Sequence, residues 1–434
     1  MLPTLRLALL VVLAGLLPLA SALAAPLQPL IDAALAGTGI LRLAPGTYEG
    51  PVKITGRLIL DGGGQAVIQG NHAGSVITLK ASGSVLRGLI VRGSGDSHDQ
   101  IHSGIYVEGH DNRIEDNVLD DVLFGIVLQK SNHNLVRGNR VRSRGEDTAD
   151  RGDGLRLWYA MDNRIEDNVF EHMRDLTITN SPRNRIIGNT IRDSRRAMNF
   201  LFSPRTLVEA NLATDNATGL VVINSNGFIL RNNRVMHAMH VSGAGIAIKE
   251  STAVLIEGNE LIHCAIGLMA DSSSDPISRL VMVNNRLAHN VTGINFYGER
   301  GGRILINNRF EHNLWQVTAT NAGQIEAEHW AGNYWDTYQG FDLDQDGIGD
   351  QPHELYVFAD RIWLETPEAS FFRNSPLMEM IDFLERLAPF SNPALVLRDR
   401  TPVLRAAPWT PSVSFNRPAG QIGAAPDSAA MTAH

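Results

Sequence analysis

Apolar residues fall at alternate positions between asparagines in one recurring phrase: NRIEDNVL at 112–119, NLVRGNRV at 134–141, NRIEDNVF at 163–170 and NRIIGNTI at 184–191. Weaker copies follow. Aligned, they place one asparagine per unit, at Asn117, Asn139, Asn168, Asn189, Asn211, Asn233, Asn259, Asn285 and Asn308, with gaps of 21 to 29 residues. A second phrase, glycine followed by alternating apolar residues, accompanies it: GIYV at 104, GIVL at 125, GLRL at 154, GLVV at 219, GIAI at 245 and GINF at 293. Period two predicts strands, and self-similarity at this period predicts a solenoid. The short Asn/Asp/Gly-rich links leave no room for helices, so the expected fold is all-β, a right-handed parallel β-helix. Its rungs should rise by ~4.8 Å each, with the asparagines stacked as a buried hydrogen-bonded ladder.

The ends of the chain differ. Residues 1–24 read as an export signal, with Arg6 before the apolar run Leu7 to Leu19 and the small residues Ala22-Leu23-Ala24 at its close. Residues 27–36 should form a short amphipathic helix over the open end of the solenoid, where unpaired strand edges need cover. The solenoid is expected over 25–330, an acidic-loop region over 331–365 and a helical, then Pro/Ala-rich, extension over 366–434. In that extension Leu377, Met380, Ile381, Leu384 and Leu387 recur at helical spacing.

Composition narrows the class. Forty glycines and only 6% aromatic residues in 434 suit a turn-rich fold with few large core aromatics. A formal charge of −8 gives no electrostatic attraction for a phosphate backbone, so nucleic acid is not expected as a partner. The single cysteine, Cys264, has no partner for a disulfide, although an exported protein occupies an oxidising compartment. It reads as a small buried hydrophobe, with a soft-metal ligand as the other reading.

Insertions in a solenoid collect on particular faces, which often bind. Three of them, 95–104, 144–154 and 236–245, precede a glycine strand and should project from one corner. The first two carry His98, Asp99, His102, Asp147, Asp150 and Asp153. Such carboxylates would serve a polysaccharide lyase, hydrolase or epimerase, since glycosidases work with two carboxyl groups facing one bond. The third holds Met236, His237, Met239 and His240, and thioether with imidazole favours copper, especially Cu(I), over hard cations. Histidines also recur four residues after the repeat asparagine, at His172, His237, His263, His289 and His312. A stacked polar turn position explains that recurrence without any metal. The candidate copper ligands are Met236, His237, Met239, His240 and His263.

Residues 332–350, GNYWDTYQGFDLDQDGIGD, place Asp342, Asp344 and Asp346 at alternate positions, Gly347 at the bend and Asp350 beyond. The pattern resembles a calcium-binding loop, although the twelfth position of the count is His353 and Glu354 comes one residue late. Calcium is the candidate ion there. The export signal, Pro45-Gly46-Thr47-Tyr48 before the first rungs, the N-x-I-x-x-N repeat and above all this acidic segment together resemble the NosD family, periplasmic copper-binding maturation proteins of nitrous oxide reductase. The resemblance implies a non-enzymatic protein in the periplasm. It would act with an ABC-type membrane protein and its ATPase, and with a periplasmic copper chaperone, to build the copper centres of nitrous oxide reductase. It supplies no ligand positions, so the copper candidates rest on the loop and the histidine recurrence.

Overall fold

The computed structural model describes residues 24–271, 279–297, 302–319, 329–357 and 394–410, with Met380 and Leu384. The export signal and, but for those two exposed residues, the amphipathic stretch at 375–390 lie outside the described residues.

Each rung of the coil contributes three short strands. Phe124–Gln129, Leu135–Arg137 and Arg140–Ser143 make up one of them. The glycine phrases form a 12-stranded parallel sheet, and the asparagine phrases supply two strands per rung to a 25-stranded sheet. Rungs stack in register: Ile126 opposes Leu155, Val136 opposes Ile165 and Val141 opposes Phe170. These inward positions are fully buried, so alternation along each strand becomes one continuous apolar column inside the coil.

The corners explain the polar half of the repeat. The residue before each ladder asparagine is in the left-handed region, as Asp116, Gly138, Asp167, Gly188, Ala210, Asn232, Gly258, Asn284, Asn307 and Gly332. The turn aims the asparagine inward, where its backbone and side chain are satisfied by the rungs on either side. Asn139 donates from its backbone N–H and from Nδ2 to Asn168 Oδ1, both at 2.9 Å, and from Nδ2 to the Ile114 carbonyl at 2.8 Å. The same pattern runs unbroken from Asn117 to Asn333, which adds one member to the sequence expectation. A shorter column at another corner is interrupted at Ala238 and Cys264. The Cys264 N–H donates to Asn290 Oδ1 at 2.8 Å, and its buried thiol, raised to about 12 by desolvation, fits the small-hydrophobe reading.

Both ends are closed. Helix α1 (Gln28–Ala36) buries Leu27 and Ile31 over the first rung. Gln28 reaches the edge strand, donating to the Lys53 carbonyl at 3.0 Å and accepting from the Lys53 N–H at 2.8 Å. This blunts an edge that would otherwise pair with another chain. At the far end, His353–Val357 pairs antiparallel with Ala394–Asp399, and the fully buried Asp399 terminates the asparagine ladder. Its Oδ2 accepts from the Asn333 N–H (3.1 Å), Asn333 Nδ2 (2.9 Å) and Trp335 Nε1 (3.1 Å). Residues 394–410 show no pattern in the sequence, yet they form this cap.

Candidate metal sites

The three insertions lead into Ser103–Val107, Leu155–Trp158 and Ala244–Lys249, all strands of the glycine-strand sheet. Gly104 and Gly154 are two rungs apart and Gly245 four rungs further, as the spacing predicts. Arg144, at the root of the second loop, bonds to the Ser94 and Gly95 carbonyls at the root of the first.

Of the acids in these loops, Asp153 is not free. Asp153 is 1% exposed and held by Arg174 at 3.0 Å, with Arg156 at 3.8 Å. Burial pushes its carboxyl above the usual range while the guanidiniums oppose the shift. Asp175, one rung on and also buried, is bound by Arg195. The His98 ring lies edge-on to Phe124, and His102 accepts from the Ser97 N–H at 3.3 Å and contacts Gln100. Carboxylates clamped in this way are parts of the wall rather than groups poised over a sugar bond.

The histidine recurrence is a physical column. His237, His263, His289 and His312 occupy one exposed corner of four successive rungs, all in the left-handed conformation. Their rings follow at 5.7, 5.0 and 5.1 Å between centroids. Carboxylates bound the column. His237 Nδ1 lies 2.9 Å from Asp215 Oδ1 and His312 Nδ1 lies 3.1 Å from Asp336 Oδ2. Because an ionised carboxylate only accepts, each Nδ1 is the donor, and in the neutral ring this leaves the lone pair on Nε2. His289 is held below the usual imidazole value by desolvation and by its His263 and His312 neighbours, which favours the neutral form that can ligate a metal. His172, lower on the same corner, differs: Nδ1 bonds Asp193 and Nε2 lies 2.8 Å from the Gly145 carbonyl, so neither nitrogen is available.

Of the five copper candidates, Met236 opposes Ile262 across the strands beside this corner, and His237 and His263 are ring neighbours in the column. Met239 and His240 sit on the exposed loop after it, where His240 Nδ1 contacts Ser242 Oγ at 3.1 Å. Sequence proximity thus gathers them at one corner without converging all five on a point. The extension of the column to His289 and His312 was visible as a recurrence. Its capping by Asp215 and Asp336 was not, because neither acid neighbours its histidine in sequence.

In the acidic loop, Asp342, Asp344 and Asp346 offer oxygens all within 4.8 Å of one another. Among the described residues this is the one such grouping of three or more His, Cys, Asp or Glu. Asp342 Oδ2 accepts from the Gly347 N–H at 3.0 Å and Asp346 Oδ1 from Ile348 at 2.7 Å. Against some desolvation, the Gly347, Gln345 and Asp346 N–H groups hold Asp342 below its usual value. Asp344 accepts from the Asp346 N–H but is raised overall by the crowding of Asp346, Asp342 and Asp350. Asp350 is outside the triad, and its Oδ2 accepts from the Leu343 N–H at 2.7 Å.

A parallel coil with one histidine-lined corner and closed ends defines the class: this is a β-helix protein, and the model of the right-handed β-helix region matches residues 65–170. The family model described as "Periplasmic copper-binding protein (NosD)" matches residues 142–340, which include the histidine corner and reach the acidic loop's threshold. Over that part the chain is similar to the NosD family. It is 28% identical over 430 residues to a "Probable ABC transporter binding protein NosD" of Pseudomonas aeruginosa, covering 90% of this chain and 94% of that one. A Stutzerimonas stutzeri protein of the same description is 28% identical over 110 residues, 24% of each chain. Similar solved structures include a mannuronan C-5 epimerase A-module of Azotobacter vinelandii (17% identity, TM-score 0.41, 70% of this chain and 90% of that one). Another is an α-1,3-glucanase catalytic domain (11% identity, TM-score 0.48, 71% and 68%).

Proposed function

We propose that the chain is exported by its N-terminal segment and works in the periplasm as an accessory protein for copper-centre assembly of nitrous oxide reductase. On this reading it receives Cu(I) from a copper chaperone and acts with an ABC-type membrane protein and its ATPase. It catalyses no reaction itself, and copper is its cargo. The observation that carries the reading is the histidine corner beside Met236, where exposed imidazoles and a thioether supply ligands that suit Cu(I) and release it readily. The family description and the transporter named in its relatives support the setting. The arginine-clamped state of Asp153 weighs against the polysaccharide-enzyme alternative. Ca²⁺ is the ion we propose for the acidic loop, where a divalent charge relieves the crowding of three carboxylates.

The test is to produce the reductase in cells carrying either the native chain or a variant with His237, Met239 and His240 changed to alanine. The variant should yield reductase depleted in copper at unchanged protein level. Full copper loading with the variant would contradict the role given to this corner.

A further inference from the structure

The left-handed corner does not by itself explain the histidines. Asn, Asp and His all tolerate this conformation better than other side chains that carry a Cβ. Yet the ten left-handed residues that precede the ladder asparagines are Asp, Asn, Gly and Ala, with no histidine among them. At the corner four residues after the ladder asparagine, the left-handed residues from His172 onward are His172, Asp193, Asp215, His237, His263, His289 and His312, nothing but imidazole and carboxylate. The same backbone demand is met by different chemistry on two corners of one coil.

We propose that the column of His237, His263, His289 and His312 is a linear track that holds more than one Cu(I) and lets the ion step along the solenoid axis. This rests on the copper reading above and extends it from one loop-side site to four rungs. Rings 5.0 to 5.7 Å apart present nitrogens in pairs rather than in triads. Metal–imidazole bonds of about 2.0–2.1 Å separate the two nitrogens of a linear bridge by about 4 Å, and because the imidazole lone pair lies in the ring plane, the neighbouring rings must turn about their Cβ–Cγ bonds to aim both nitrogens at one ion. A monovalent d¹⁰ ion accepts two nitrogens, whereas Zn²⁺ asks for four ligands. His263 and His289 make no side-chain hydrogen bond within the described residues, so no existing bond has to break. The two outer rings are oriented by carboxylates, the arrangement that makes imidazole a better ligand.

Charge fixes the occupancy. Ions in adjacent gaps would lie one rung apart and repel, while ions in the first and third gaps lie about 10 Å apart. Each of those outer gaps also has a carboxylate at its far side, Asp215 or Asp336. The track therefore takes two ions, one between His237 and His263 and one between His289 and His312, with the middle gap as the step between them.

The experiment is Cu(I) titration of the mature protein, under anaerobic conditions and against a competing chelator. It compares the native chain with a His289→Asn/His312→Asn variant and with His289→Asp/His312→Asp. Asparagine already holds the left-handed conformation at Asn284 and Asn307, and aspartate holds this very corner at Asp193 and Asp215. Both variants should therefore keep the fold, which circular dichroism verifies. The native chain should bind two Cu(I) and each variant one. Equal stoichiometry in native and variant proteins, at one or at two ions, would overturn the track and leave the His237 corner standing. No Cu(I) bound by the native chain would overturn both.

Discussion

Replacing Asn189 by leucine removes one step of the buried ladder, and the structure sets the size of the effect. Asn189 Oδ1 accepts from the Asn168 N–H at 3.0 Å and from Asn168 Nδ2 at 2.9 Å, and its own Nδ2 donates to the Ile165 carbonyl at 2.9 Å and to Asn211 Oδ1 at 3.0 Å. Asn168 Nδ2 keeps the Val136 carbonyl, and Asn211 Oδ1 keeps the Asn189 backbone N–H. The Ile165 carbonyl stays in the parallel strand ladder, so the group left without a partner is the buried Asn168 N–H. At about 1–3 kcal/mol for a buried unsatisfied group, the loss is about 1–3 kcal/mol. Leucine is close in volume but cannot offset this, because the site is walled by backbone polar groups. Since solenoids unfold rung by rung, the assay is urea unfolding by circular dichroism together with hydrogen exchange across residues 163–192. His263→Asn, on an exposed corner, is the control and should change stability by less than about 0.5 kcal/mol. A loss below about 1 kcal/mol for Asn189→Leu, or equal effects of the two substitutions, would refute the ladder as a stabilising element.

Other outcomes follow from the ends of the coil. Asp399→Ala should strip the acceptor from Asn333 and Trp335 Nε1, loosening the final rung and red-shifting tryptophan emission; an unchanged spectrum and protease pattern would contradict the cap. His353 stacks on Trp335 at 4.8 Å, and desolvation lowers its imidazole to about 4, so the folded state resists a proton that the unfolded chain takes near 6.5. Stability should therefore fall as pH drops from 6.5 to about 4 and level off below, by roughly 2–4 kcal/mol in all, and His353→Phe should remove that slope in a pH series of urea midpoints. Ca²⁺ should order residues 340–353 and protect them from proteolysis, and equal cleavage with Ca²⁺ and with chelator would remove calcium from the acidic loop.

The features that repeat were legible in the sequence. A parallel coil puts each unit one rung above the last, so the recurrence of Asn117 to Asn308 and of His237 to His312 translated directly into columns. Cover by a helix at 27–36 was also readable, because Leu27 and Ile31 mark its buried side. What escaped was contact between segments without a shared period. Asp399 caps Asn333 from 66 residues away, in a stretch whose composition suggests only an irregular tail. Arg174, which holds Asp153 most closely, lies about one rung further along the chain, so that acid looked free in the sequence. Met239 and His240 look like ligands by proximity to His237, but the turn carries them onto an exposed loop beside the column.

The copper claim turns on one measurement: the Cu(I) affinity of the mature protein, set by competition with a chelator, before and after changing His237, Met239 and His240 to alanine, with folding verified by circular dichroism. Tight binding by the native chain and at least a tenfold loss in the variant is the predicted result. Unchanged affinity, or a native chain that takes no Cu(I) and instead depolymerises an acidic polysaccharide, would contradict it.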